Sequence, residues 1–157
     1  MVRPAVVLPP DPDERWELAK QMGVTDVVIH PLEIGDGKTN WTYDELRGLQ
    51  NWLETDGLRF SVLEGSVPLT DRIRLGLDGR DEDIEEFKEF IRICGDLGIP
   101  VICYDWMAGV RWARTEAHVE SRGGSLVTGF DNEKIQGGPT VPASSRSREE
   151  IFEALAY

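Results

Sequence analysis

Gly57-Leu-Arg-Phe-Ser-Val-Leu-Glu64 is a helix-ending glycine, a largely apolar run and an acidic residue where the run stops. Glycine just beyond a helix closes the last turn in the left-handed conformation. A short apolar run bounded in this way reads as a buried strand. The construction occurs twice more, as Gly23-Val-Thr-Asp-Val-Val-Ile-His30 and as Gly98-Ile-Pro-Val-Ile-Cys-Tyr-Asp105. His30, Glu64 and Asp105 thus stand at the same distance from the glycine that ends the preceding helix. Helices alternating with buried strands give a parallel sheet with right-handed crossovers. Polar residues at equivalent strand ends are what a (β/α) barrel arranges around its mouth. An open doubly wound sheet is the competing fold, and the absence of Gly-x-Gly-x-x-Gly after the first strand counts against it. The expected class is α/β, a partial (β/α) TIM barrel of about the first four strand-helix units on a parallel sheet.

Working outward, Val6-Val7-Leu8 reads as the first strand, ended by Pro9-Pro10. Asp11 is placed to cap the first helix, with Pro12 at its first position and Glu14 reaching back. Trp16, Leu18, Ala19 and Met22 are that helix's apolar residues. After Val27-Val28-Ile29, residues 34–40 read as a Gly-rich loop. Thr42 and Glu45 then form a capping box, with Trp41 and Leu46 as a hydrophobic staple, and Leu46, Leu49 and Leu53 are the buried face. Past residues 58–63, the third strand, and an irregular stretch, Asp81 is the expected cap of a third helix. Its stripe is Ile84, Phe87, Ile91, Cys94 and Leu97. Residues 99–103 follow as the fourth strand.

Beyond it the pattern changes. Residues 119–127 read as a small hairpin turning at Gly123-Gly124, and residues 132–147 as a loop rich in Gly, Pro and Ser. Ser147 and Glu150 start another helix, with Ile151, Phe152 and Leu155 as its apolar face, and the chain stops at Tyr157 within it. Residues 1–157 therefore read as the amino-terminal portion of a single TIM-barrel domain, since a closed barrel takes eight strands and about 250 residues. A truncated, split or half-barrel product that assembles with another chain is one expectation. Open sheet edges favour self-association into a homo-oligomer, which the net charge opposes.

The chain has 157 residues, 40% hydrophobic and 29% charged, a globular mixture rather than a disordered one. It carries 29 acidic against 17 basic side chains, a formal net charge of -12. That field repels phosphate backbones and anionic lipid, which argues against nucleic-acid and membrane-surface partners. No apolar run approaches the roughly 20 residues of a membrane span, and the start lacks the pattern of a signal peptide. Cys94 and Cys103, both in apolar stretches, read as buried reduced thiols of a cytoplasmic protein.

Three segments carry candidate chemistry: Asp26-Val-Val-Ile-His-Pro-Leu-Glu33, Phe60-Ser-Val-Leu-Glu-Gly-Ser-Val-Pro68, and Val101-Ile-Cys-Tyr-Asp-Trp-Met-Ala-Gly-Val-Arg-Trp-Ala-Arg-Thr115. In the last, two arginines and three aromatics follow a buried strand at once. Aromatic faces pack against sugar rings, and arginine grips a carboxylate through two parallel hydrogen bonds. In order and spacing these segments resemble the mannonate dehydratase family. Glu64 with Ser66-Val67-Pro68 is similar to that family's Glu-Ser-Val-Pro. Cys103-Tyr104, Trp106-Met107 and Trp112-Ala113-Arg114-Thr115 are similar to its Cys-Tyr-Asn-Phe-Met and Trp-Thr-Arg-Thr. Gly124-Ser125 and Phe130-Asp131 match a further Gly-Ser and Phe-Asp. The sequence departs from the pattern where Gly65 is inserted, where Asp105 replaces Asn, in lacking Trp-Tyr-Gly in the first strand, and in having one histidine, His30, where many members have two.

The resemblance implies dehydration of D-mannonate to 2-keto-3-deoxy-D-gluconate in hexuronate catabolism, with Mn²⁺ or Fe²⁺ as Lewis acid. It places the metal's His, Cys and Asp ligands in the half of the barrel that follows, so no metal ligand is assigned here, Cys103 included. The 157 residues alone are accordingly expected to be catalytically silent. His30 is either an acid-base or substrate residue or a structural strand-end histidine. Glu64 either hydrogen-bonds substrate hydroxyls or pairs with Arg72 or Arg74. Tyr104 and Trp106 either line the sugar pocket or only pack. Arg111 and Arg114 either bind the substrate carboxylate or balance acids such as Glu116. His118 reads as a surface residue of the hairpin. The rival enzyme reading is another TIM-barrel sugar isomerase or epimerase, separated from the first by its substrate. The non-catalytic fragment is the third.

Overall fold

The computed structural model describes residues 2–30, 41–65, 67–108, 114–135 and 146–157. Four strands, β1 (Ala5–Leu8), β2 (Asp26–Ile29), β3 (Arg59–Glu64) and β4 (Val101–Cys103), form one sheet in the order β1-β2-β3-β4, parallel throughout. Helices connect them: α1 (Glu14–Gln21), α2 (Tyr43–Thr55), the short α3 (Asp71–Leu75) and α4 (Arg80–Asp96). An antiparallel pair follows, β5 (Glu116–Glu120) and β6 (Leu126–Gly129), and α5 (Arg148–Ala156) ends the chain. The class is α/β with a parallel sheet, and its strand order is that of consecutive units of a (β/α) barrel. Among the described residues no helix is long and apolar enough to cross a membrane.

The glycines punctuate the sheet as the sequence predicts. Gly23, Gly57 and Gly98 all have positive φ, at 73°, 79° and 69°, which a residue with a side chain adopts only at a cost. Pleating then divides each strand between two faces. Leu8, Val27, Ile29, Phe60 and Leu63 are buried, with Trp16, Leu46, Leu53 and Cys94 in the same core. The register slips at Ser61: Val27 pairs with Phe60 but Val28 with Val62, a β-bulge that gives β3 one extra residue. The Trp16 indole N–H donates to the Pro9 carbonyl at 3.0 Å, fixing α1 against the end of β1. Gln50, buried on α2, donates to the Leu97 carbonyl at 2.9 Å and ties two helices together.

Both capping boxes form, Thr42 with Glu45 and Ser147 with Glu150, and Trp41 and Leu46 are buried beside the first. Other expectations need correction. The cap of α1 is Asp13, which accepts the Arg15 backbone N–H at 2.9 Å, so Asp11 and Pro12 precede the helix. Leu18 and Met22 are exposed, because α1 turns Trp16 and Ala19 inward. Asp81 does not cap α4. Gly79 does, in a left-handed conformation, because the nearby Asp83 is claimed by Thr70 and Arg72. Phe90 is buried where Ile91 was expected, and Ile91 is exposed. The stretch before α4 holds α3, capped by the Thr70 hydroxyl. On α5 the buried residue is Ala154, while Phe152 and Leu155 are exposed and Ile151 is half-buried. Cys94 is buried but Cys103 is exposed, because β4 is an edge strand and Cys103 lies on its less covered face.

The hairpin forms with its strands at Glu116–Glu120 and Leu126–Gly129, turning through Arg122–Gly124, and His118 is exposed on it. The Gly-rich loop expected at residues 34–40 lies outside the described residues, as do residues 136–145 of the loop expected at 132–147.

Candidate active site

Ile29, fully buried on the helix-covered face, is followed by His30, which the pleat turns to the opposite face at the carboxyl end of β2. Ile29 is in register with Leu63, and Glu64 follows as the last residue of β3. Glu64 is in turn in register with Cys103 on β4. His30, Glu64 and Cys103 therefore form a row at the carboxyl ends of three adjacent strands, and Tyr104, Asp105 and Trp106 continue from the same end.

His30 Nε2 lies 3.9 Å from Glu64 Oε2, with the side chains 33% and 41% exposed. That distance is too long for a direct hydrogen bond. A ligand hydroxyl about 2.8 Å from each atom would subtend an angle of about 90° between them, a workable geometry for accepting from one and donating to the other. Gly65 follows Glu64 with φ 104°. Its N–H donates to the Cys103 carbonyl at 3.3 Å, extending the β3–β4 pairing by one residue. A β-carbon on Gly65 would come within 3.2 Å of His30 Nδ1.

A buried cation supports the segment after β4. The Arg74 side chain is 7% exposed, with Nη2 3.4 Å from Asp105 Oδ1 and Nη1 3.6 Å from Asp71 Oδ1. The same Asp105 oxygen accepts the Met107 backbone N–H at 3.2 Å. Asp105 thus fixes the turn between Tyr104, which is 54% exposed, and Trp106, which is half-buried against the core. The Trp106 indole N–H is buried without an acceptor among the described residues. Arg72 is held by Asp83 and Arg74 by Asp71 and Asp105, whereas the ion-pair neighbour of Glu64 is His30.

The structure thus brings His30 and Glu64 together and sets Tyr104 and Trp106 at the same end of the sheet. Arg114 belongs to the hairpin: it is exposed and its Nε donates to Thr128 Oγ1 at 3.0 Å. Arg111 and Ser66 lie outside the described residues. The sequence reading missed the support that Arg74 gives to Asp105, because α3 was not recognised and nothing else in the sequence brings Arg74 to the end of β4.

A second cluster occupies the opposite end of the sheet. Asp26, buried at the start of β2, accepts from the Ser61 hydroxyl and from Arg59 Nε at 2.8 Å, with Arg3 Nε 3.4 Å away. The Ser61 hydrogen bond, with the Arg59 and Arg3 guanidiniums, outweighs burial and holds this carboxyl below its usual range. A cleft of about 420 Å³ opens there between Arg3, Asp26, Val62 and Val101. In a (β/α) barrel that end serves stability, and chemistry belongs to the carboxyl ends.

Among the described residues no three His, Cys, Asp or Glu side chains converge in a way that would hold a metal ion. The described residues alone therefore supply no complete set of ligands for a divalent cation.

Residues 14–144 match the model of the D-mannonate dehydratase (UxuA) family. The mannonate dehydratase of Oceanobacillus iheyensis is 34% identical over 108 residues, which cover 69% of this chain and 30% of that protein. That of Lactococcus lactis subsp. cremoris is 34% identical over 129 residues, covering 82% and 36% respectively. The crystal structure of mannonate dehydratase from Streptococcus suis serotype 2 superposes with a TM-score of 0.82 at 26% identity, covering all of this chain and 48% of that one. Each match spans less than half of the relative's own length.

Proposed function

The chain belongs to the D-mannonate dehydratase (UxuA) family, and from that premise we propose that it builds part of the mouth of a sugar-acid hydro-lyase. The reaction is removal of water from D-mannonate to give 2-keto-3-deoxy-D-gluconate, as a cytoplasmic step of hexuronate catabolism. A proton leaves the carbon beside the carboxylate, the hydroxyl leaves the next carbon, and the resulting enol rearranges to the ketone.

The observation that carries the reading is the 3.9 Å separation of His30 Nε2 and Glu64 Oε2 at the carboxyl ends of adjacent parallel strands. A substrate hydroxyl seated between them finds a donor on one side and an acceptor on the other. His30 is the acid-base group of the pair. Glu64 orients the hydroxyl as a hydrogen-bond acceptor. Tyr104 offers an exposed ring to the sugar, and Trp106 offers a buried indole N–H that a ligand oxygen would satisfy. Arg114, with Arg111, is the group for the substrate carboxylate in a chain whose net charge would otherwise repel it. Mn²⁺ or Fe²⁺ belongs to the proposal as a Lewis acid for the carboxylate, with no described residue assigned to it.

The test is to supply the purified gene product that carries these residues with D-mannonate and Mn²⁺ under reducing conditions and follow 2-keto-3-deoxy acid, beside a panel of aldoses and ketoses. Dehydration of mannonate supports the reading, and isomerisation of a neutral sugar without dehydration refutes it.

A further inference from the structure

We propose that Gly65 is a positioning residue for His30, and that the missing side chain at this position sets the spacing between His30 and Glu64. The inference deepens the hydro-lyase reading and rests on it for its catalytic meaning, though not for its geometry.

His30 is held between two features of β3. Its Nε2 edge faces Glu64 Oε2 at 3.9 Å, and its Nδ1 edge faces the bare α-carbon of Gly65. A β-carbon there would stand 3.2 Å from Nδ1, and among the described residues other than its chain neighbours it would meet no other atom within 4 Å. Among the described residues a single methyl group at this position therefore acts on the imidazole, and the ring must yield by a few tenths of an ångström. The backbone reinforces the requirement. Gly65 has φ 104°, a region that side-chain-bearing residues rarely adopt. That conformation is held at its N–H by the Cys103 carbonyl, at 3.3 Å, and at its carbonyl by the Val67 N–H, at 2.6 Å. The strand end thus turns away directly after Glu64 and leaves the space into which His30 fits.

A shift of a few tenths matters because the spacing sets the angle at which one hydroxyl meets both groups. Slightly closer, His30 and Glu64 bond each other and leave no place for a hydroxyl between them. Slightly farther, a hydroxyl that reaches both meets them at a wider angle. Reacting groups displaced by 1 Å lose rate by about two orders of magnitude, so a displacement of this size costs about three- to tenfold.

The experiment is a double-mutant cycle on the full gene product, with Gly65→Ala made in the wild-type and in the His30→Ala background. Backbone strain from the positive φ is common to both backgrounds, whereas the methyl–imidazole contact exists only in the first. The urea midpoint is expected to fall further in the wild-type background, and the His30 ring resonances are expected to move in Gly65→Ala. Kinetically, Gly65→Ala should lower kcat by about three- to tenfold with little change in KM for D-mannonate. Equal midpoint losses in the two backgrounds, or unmoved His30 resonances, would overturn the proposal. So would shifted resonances with unaltered kcat. Wild-type protein that never dehydrates mannonate would count against the hydro-lyase reading instead, leaving the cycle and the resonances to decide on Gly65.

Discussion

Asp26 and Arg59, register partners at the amino ends of β2 and β3, form an ion pair in which Arg59 Nη2 lies 2.5 Å from an Asp26 carboxylate that is 5% exposed. The same carboxylate accepts the hydroxyl of Ser61, the residue at the bulge, so one acid fixes both the register and its interruption. Because the folded state holds this carboxyl below its usual range, chiefly through Ser61, folding is favoured by its ionisation. That contribution is fully present above about pH 3.9, the usual value for aspartate, and is lost as the pH falls through the lower folded value. Asp26→Asn keeps an acceptor for Ser61 but removes the charge. It should lower stability at pH 7 by about 2 kcal/mol, and urea midpoints should then depend less on pH on the acid side than in wild type.

Gly79 is a second position at which the backbone depends on a glycine. Its φ is 85°, and a β-carbon there would collide with Arg72 Nη1. Arg72 has little freedom to move aside, since it is paired with Asp83, a side chain 3% exposed that also accepts from Thr70. Gly79→Ala should lower stability by about 2 kcal/mol. In an Arg72→Ala background the steric share should disappear and only the cost of the positive φ remain, which paired urea titrations would measure.

The two thiols should differ sharply in reactivity. Cys94 is buried on α4 and its thiol is pushed up to about 11 by that burial, whereas Cys103 is exposed at the end of β4. Only the thiolate alkylates readily. Native protein at pH 8 should take up one equivalent of iodoacetamide, located at Cys103 by mass spectrometry, and a second only after unfolding. Equal labelling of both in native protein would contradict the burial of Cys94.

Much of this was legible in the sequence because glycine does a job that few residues share. Gly23, Gly57 and Gly98 each have positive φ, and counting from them places His30 and Glu64 at equivalent strand ends, whereas on β4 the residue in register with Glu64 is Cys103, two residues before the counted Asp105. Capping boxes were equally readable, since Thr42 with Glu45 and Ser147 with Glu150 satisfy each other locally. What failed depended on distant partners. Asp81 looked like a cap, but Thr70 and Arg72 draw Asp83 inward and leave the start of α4 to Gly79. Ser61 gives no local sign of a bulge, which exists because Asp26 waits on the neighbouring strand. Cys103 sits in an apolar run and reads as buried, yet it lies on the exposed face of an edge strand. Within the candidate site, strand-end counting reached His30 and Glu64. It did not reach Gly65, whose part lies in what it leaves empty.

Arg114 offers a test of substrate recognition separate from the fold. It is exposed on the hairpin, and its Nε bonds Thr128 Oγ1. Arg114→Ala should therefore move the unfolding midpoint little, by about 0.5 kcal/mol or less. If Arg114 holds the substrate carboxylate, kcat/KM for D-mannonate should fall at least about a hundredfold, the cost of losing a charged hydrogen-bonded contact. Unchanged kinetics would assign Arg114 to the hairpin alone.

The central claim is that His30, set against Glu64 at 3.9 Å, exchanges protons with a sugar acid. Steady-state dehydration of D-mannonate by the full gene product, wild type against His30→Asn, tests it most directly. An asparagine keeps a hydrogen-bonding group at the strand end but cannot exchange a proton near neutral pH. The account predicts a fall in kcat of about a hundredfold or more, with a urea midpoint close to wild type and with mannonate still bound. A His30→Asn enzyme that turns over mannonate at the wild-type rate would contradict it and leave His30 as a strand-end residue without a part in the chemistry.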